Sequence, residues 1–479
     1  MTKKSLLASF ALLLMTLSAQ AQNPSTDEIN RRLAESRALE AAIWGMPAVN
    51  TDLMRQEMLT KTPGKVNQFI YWGRPLDSKN QTLTPNPDTL YFMAFFDTKA
   101  AGPMVFEIPP GDDHGSLNGN IVTVWQTSLE DVGLLGIDHG AGGKFVIVPP
   151  GYKDAVPDGY SILRSDTYGG YALVRSNLKS RSDADVAASI AYAKRVKFYP
   201  LSAAASPPET VFTDVKDVNF DATIRYDTSF YQSLDRVVQS EPWIERDRAM
   251  IDQLRSIGIE KGKPFNPDAK MQAILSAAIG DARALLERHY DAGFPVFYSG
   301  THWTMPALSE AVEGQSSTYA NPDKYAVDAR GVAYTYAYIA IKRLGAGQFY
   351  LISIRDKDSQ AYDGSKIYRL RVPPEVPVAQ YWSVTAYDRE THALIKNMPR
   401  ASRASNAADL QKNADGSVDI FFGPAAPAGK ETNWVPTDPA RQFELMARFY
   451  APKKEFFEKK WALPDVEKVG ATVGSGARQ

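Results

Sequence analysis

The spacing of apolar residues changes character twice along the chain, and those changes divide it. Over residues 27–46, Ile29, Leu33, Ala41, Ile43 and Met46 recur at mixed three- and four-residue intervals, which predicts a helix. From about residue 82 the apolar residues fall into short runs punctuated by Gly, Pro, Asn and Asp. Residues 90–96, 104–108, 121–125, 144–148 and 171–175 each read as strands. Their spacing predicts a β-sandwich rather than alternating β and α units. The helical period returns over 183–196 and 243–257, and most clearly after Asn266-Pro267. There Met271, Ile274, Leu275, Ala278, Ile279, Ala282, Leu285 and Leu286 follow one helical face, with Asn266 as the expected N-cap.

Strands return after residue 345, at 348–354, 367–372, 381–387 and 418–422. Phe443, Leu445, Ala447 and Phe449 alternate with other residues, which predicts a strand with one face in a core and one in water. A charged helix is expected near 453–461. The resulting plan is α+β, mainly β. It has a helical segment at 22–80, a sandwich at 81–180, a mainly helical region at 181–345, a second sandwich at 346–465 and a flexible tail at 466–479.

The first 21 residues read differently. Lys3 and Lys4 precede an apolar run over 6–17, and Ala19-Gln20-Ala21 supplies small residues for cleavage before Gln22. That order is a secretory signal peptide, and its apolar run is too short to span a membrane. No later stretch is long and apolar enough to span one. The expected destination is the periplasm or the medium, with no stable membrane insertion.

Composition narrows the chemistry. Lys and Arg number 54 against 55 Asp and Glu, a balance that argues against nucleic acid as the main partner. Cysteine is absent, which removes disulfides, thiol nucleophiles and thiolate metal sites. The chain lacks a nucleophile elbow, a phosphate loop and a dinucleotide fingerprint. None of its five histidines has the spacing of a local metal site; a site gathered from distant histidines and carboxylates stays open, and the cofactor is unknown at this stage. His289 continues the Leu285 and Leu286 face, which suits a packed or capping role. His302 and Trp303 lie in an aromatic, polar stretch that suits a cleft wall or a domain-junction loop. Glu107, Asp112, Asp113, Glu130, Asp131, Asp388 and Glu390 fall near strand ends, where acids more often cap turns in solvent than act in pairs.

Several strings then become recognisable. They are Thr84-Pro85-Asn86-Pro87-Asp88-Thr89-Leu90-Tyr91, Tyr381-Trp382-Ser383-Val384-Thr385-Ala386-Tyr387-Asp388, the run from Asp415 to Pro424, Asn433-Trp434, and Arg448-Phe449-Tyr450-Ala451-Pro452. Together they resemble a bacterial exported family of paired domains of unknown function, 1254 at the N-terminal side and 1214 at the C-terminal side. Pro87 stands where that family more often has a second Asn. The resemblance implies an immunoglobulin-like sandwich, a helical region and a jelly-roll-like sandwich, and it brings no established activity.

The same residues have a local account: Pro85, Asn86 and Asp88 suit an Asx turn launching a strand, and Asp415-Gly416 suits a hairpin turn. The functional expectation is that Asn86, Asp88, Tyr91, Asp388, Asn433 and Trp434 converge on an inter-domain groove, with His302 and Trp303 as further candidates. Such a groove would take a small polar or carbohydrate-like ligand. Two alternatives stay open at this stage. One is a hydrolase of an ester, amide or glycoside, using carboxylates with His302 or a metal-activated water. The other is a structural or interaction protein of the envelope. Oligomeric state does not follow from the sequence.

Overall fold

A single helix, Thr26–Lys61, sets the architecture. Ser25 caps it by accepting the Glu28 amide, and Asp27 and Glu28 place negative charge in the first turn. The sequence pattern ends this helix at 46, before Pro47, yet the helix continues for fifteen further residues. Residues 41–52 are all buried, so this stretch has no wet face and acts as a core element. Proline removes one N–H donor, but packing on every side holds the turns together. The Pro47 carbonyl also accepts from Gln126 Nε2 at 3.1 Å. The computed structural model describes residues 24–343 and 347–469. The expected signal peptide therefore lies outside the described residues.

Helices Ser229–Ser240, Ala269–Ala292 and Val327–Tyr336 pack around this central one. The cap of Ala269–Ala292 is Asp268, which accepts the Met271 amide at 2.8 Å, rather than Asn266. Its buried face runs from Ile274 to Tyr290, whereas Leu285 and His289 are exposed, so His289 is not packed. No helix among the described residues is long and apolar enough to cross a membrane.

Sandwich-like sheets stand at both ends of the chain. The first sandwich pairs a six-stranded sheet, in the order Phe212–Asp214, Phe69–Tyr71, Leu90–Asp97, Gly169–Ser176, Leu117–Thr123, Ser128–Gly133, with a four-stranded one. Strand Leu90–Asp97 shows why the six-stranded sheet is a middle layer. Phe92, Ala94 and Phe96 enter the sandwich core, while Tyr91, Met93 and Phe95 pack on the helical layer.

The second sandwich has two four-stranded sheets. One is ordered Gln348–Ser353, Phe443–Tyr450, Trp382–Asp388, Ser402–Ala404, and the other Trp434–Pro436, Val418–Gly423, Ile367–Val372, Glu467–Val469. Glu467–Val469 lies where the sequence suggested a flexible tail. It is instead an edge strand on 367–369, with Glu467 paired to Arg369. The expected helix near 453–461 shortens to Lys454–Phe457.

The main departure concerns Phe443–Tyr450. All eight residues are buried. Phe443, Leu445, Ala447 and Phe449 fill the sandwich core as the alternation requires. The face expected to be wet, Glu444, Met446, Arg448 and Tyr450, is covered by the helical layer and by residues 84–91 of the first domain. That covered face organises the site.

Candidate functional site

The site begins at the turn over residues 84–91. Asn86 Oδ1 accepts the Asp88 amide at 3.0 Å, the Asx turn expected from Pro85, Asn86 and Asp88. The Asn86 amide donates to the Tyr91 hydroxyl at 2.9 Å, and Asn86 Nδ2 donates to the Tyr450 hydroxyl at 2.5 Å. Asp88 is buried; Ser402 donates to it at 2.9 Å and Arg181 at 2.8 Å. Strings from both domains thus meet: Asn86, Asp88 and Tyr91 from one side, Tyr381, Tyr387, Arg448 and Tyr450 from the other. The rings of Tyr381 and Tyr450 stack at 4.1 Å.

Arg448 stands at the centre and is 1% exposed. Its Nη1 donates to Thr385 Oγ1 at 3.0 Å, and its Nη2 donates to the Thr84 carbonyl at 3.0 Å and the Tyr387 hydroxyl at 2.5 Å. Its Nε has no partner. Among the described residues, no carboxylate lies within ion-pair distance of this guanidinium. The phenols around it do not supply the missing charge, because burial pushes Tyr350, Tyr381, Tyr387 and Tyr450 above the ordinary phenol range. A desolvated cation without a counter-ion is costly, and a native protein seldom leaves one so.

Arg175 extends the site. Its guanidinium lies 5.5 Å over the Tyr91 ring, and that of Arg448 lies 5.2 Å over Tyr350. Asn120 accepts from Arg175 at 2.7 Å and donates onward to Asp131 at 2.8 Å. A cleft of about 40 Å³ between the two sandwiches reaches Arg175, between Asn120 and Gln348. Tyr338 is buried, and its hydroxyl makes no hydrogen bond.

The other end of the same strand face carries a different network. Glu444 is fully buried, accepting from the Tyr290 hydroxyl at 2.6 Å and from His392 Nδ1 at 2.9 Å. His392 Nε2 lies 3.5 Å from Glu287, and Arg389 pairs with Glu287 at 2.8 Å. Burial disfavours the imidazolium, but the Glu444 charge and the bonds to Glu287 and Glu444 outweigh it and raise the His392 pKa from 6.5 to about 9. The folded-state value exceeds the unfolded one, so protonated His392 stabilises the fold. That contribution is complete below pH 6.5 and is lost as pH rises through 9. Chemical denaturation at a series of pH values should show up to about 3 kcal/mol of stability disappearing across this window, and His392→Gln should flatten the profile there.

The remaining candidates are dispersed. Asp388 binds Arg441 and the amides of Glu390 and Thr391, at the Glu444 end and not beside Asp88. Asn433 and Trp434 lie at and in the other sheet of the second sandwich. Asn433 bonds to the backbone of Gln411 and Asp419, and Trp434 Nε1 bonds to the Gly423 carbonyl. Trp303 is a core residue at 0% exposure, donating to the Pro464 carbonyl at 2.9 Å, and not a cleft wall.

His302 bridges Asp465 through Nδ1 and Ser359 through Nε2, both at 2.8 Å. The connectivity is that of a hydrolytic triad. However, the amides of Asp358, Ser359 and Gln360 all donate to Asp356, which leaves none of them to receive an oxyanion. These side chains instead clamp three segments together. The strand-end acids also divide. Asp112, Asp113 and Glu390 are exposed and Glu107 half-buried, but Glu130, Asp131 and Asp388 are buried in ion pairs or amide bonds rather than solvated.

Sequence reasoning missed Arg175, Arg448, Tyr338, Tyr350, Glu444 and His392. One signal was present: a strand whose apolar residues alternate with Glu, Met, Arg and Tyr carries isolated opposite charges among large side chains, which suits a polar interior as well as water.

Comparison with known proteins bears on the fold. No curated protein matches the chain. The crystal structure of the VPA0106 protein from Vibrio parahaemolyticus is similar, with a TM-score of 0.55 at 18% identity, covering 91% of this chain and 100% of that one. An uncharacterized protein from Burkholderia cenocepacia aligns at 13% identity over 92% of this chain and 94% of that one, with a TM-score of 0.39. Residues 66–200 match a family model described as a protein of unknown function (DUF1254), and residues 347–454 match another with the same description (DUF1214). With these two domains in that order, the chain belongs to the family of proteins of unknown function that pairs them.

Proposed function

We propose that this is an exported protein that binds a small polar molecule carrying an anionic group, in the seam between the two sandwiches, with Arg448 as the charge partner. One observation carries the reading: a guanidinium at 1% exposure with an unpartnered Nε and no counter-ion among the described residues. An oxyanion there would receive a charge-assisted hydrogen bond from Nε, and the Tyr338 hydroxyl, which interacts with Arg175, is a further donor in the seam. The phenol rings of Tyr91, Tyr350 and Tyr381 would flank an attached ring or sugar face. Sugar acids combine charge, hydroxyls and a ring, and are the first class to test; seating one requires the seam to open beyond the cleft of about 40 Å³ that reaches Arg175. Export rests on the N-terminal Lys–apolar–Ala-x-Ala pattern.

Thermal denaturation of the purified protein tests the binding. Glucuronate or galacturonate should raise the unfolding midpoint, while the neutral parent sugars and chloride at matched ionic strength should not. Arg448→Met should abolish the shift. Tyr338→Phe removes a hydroxyl that bonds to nothing in the protein, so it should leave the ligand-free midpoint unchanged while weakening ligand affinity about tenfold. A response to neutral sugars and acids alike, no response to either, or a response unchanged in both variants would refute the reading.

A further inference from the structure

Beyond the Glu444 end of the same strand lies a cavity of about 420 Å³, where the Ala269–Ala292 helix meets the second sandwich. Four arginines and three carboxylates line it, together with a few apolar atoms. Most of the charges are matched. Arg283 and Arg441 share Glu390, at 3.3 and 2.8 Å. Arg389 is held between Glu287 at 2.8 Å and Asp291 at 2.6 Å.

Arg355 is the exception. Among the described residues its guanidinium makes one hydrogen bond, a long one of 3.5 Å from Nη1 to the Ser359 carbonyl, and no carboxylate pairs with it. Glu390 and Asp291, by contrast, are 57% and 43% exposed at their side chains. Their oxygens therefore have room to accept from a ligand as well as from arginine. One cavity thus offers an unengaged guanidinium and accessible carboxylates.

We infer that this cavity is a second binding site, independent of the seam, and that it takes a free amino acid or short peptide as a zwitterion. The ligand carboxylate would dock on Arg355 through the planar fork of the guanidinium. The ammonium would face Glu390 and Asp291. The volume lies within the range of cavities that enclose small organic ligands. A purely anionic ligand would meet Glu390 and Asp291 as like charges, and a purely cationic one would meet the arginines, so the mixed lining selects a molecule bearing both.

Isothermal titration of the purified protein with the twenty free amino acids and dialanine tests this directly. At least one should bind. Its N-acetyl and its amide derivatives, each lacking one charge, should bind at least about tenfold more weakly. Arg355→Gln breaks no ion pair and should fold normally, with binding of the zwitterion reduced at least about tenfold. The same variant should leave the sugar-acid response at Arg448 intact, and Arg448→Met should leave zwitterion binding intact.

Absence of binding by every amino acid and by dialanine would overturn the inference. So would equal binding of the N-acetyl derivative, or binding unaffected by Arg355→Gln. A loss of zwitterion binding in Arg448→Met but not in Arg355→Gln would assign the ligand to the seam and overturn it as well.

Discussion

Glu444→Ala should lower the unfolding free energy by about 3–5 kcal/mol, measured by chemical denaturation near pH 7. The carboxylate is fully buried and is the acceptor for both Tyr290 and His392. Removing it strands a buried imidazolium and an unpartnered phenol, and Arg389, 3.8 Å away, loses a third counter-charge. Glu444→Gln keeps an oxygen acceptor but not the charge, so it should fall between wild type and alanine. It should also bring the His392 pKa down towards 6.5, which a pH series on the variant would reveal as a transition shifted to lower pH. A loss below about 1 kcal/mol in the alanine variant would show that water enters and solvates the network instead.

Trp303→Ala is expected to cost a similar amount, about 3–5 kcal/mol, through a different cause. The indole is 0% exposed in the core of the second sandwich, among Phe297, Tyr298 and Leu351, and its N–H is satisfied by the Pro464 carbonyl. Truncation leaves a cavity and an orphaned carbonyl. The distinguishing readout is binding: at temperatures where the variant remains folded, its affinity for seam and cavity ligands should match wild type. A variant of normal stability with lost binding would instead make Trp303 part of a ligand wall.

Much of the fold was legible because period and turn chemistry are local. The alternation over 443–449 marks a strand whatever surrounds it, and Asn86-Pro87-Asp88 forms its Asx turn with its own backbone. The pattern over 27–46 stopped short because a helical period is read from the contrast between a dry and a wet face, and residues 41–52 have no wet face. The site was harder for the same reason. A period of two says which residues share a face but not what covers that face, so Glu444 and Arg448 read as solvated. Asn86, Asp88 and Tyr91 do meet the second domain, whereas Asn433 and Trp434 lie in its other half, a separation that spacing in sequence does not encode.

The strand Phe443–Tyr450 also bears on whether the two family domains can stand apart. Its inner residues are completed by Thr84, Asn86 and Tyr290, none of which belongs to the second domain. Cut at the boundary between the two family models, the C-terminal piece would carry a charged surface stripped of these partners. A change in the turn at 84–91 must therefore be compatible with residues more than 350 positions downstream, as the separation of Asn86 and Tyr450 by 364 residues makes plain. Separating the halves would dissolve the seam itself.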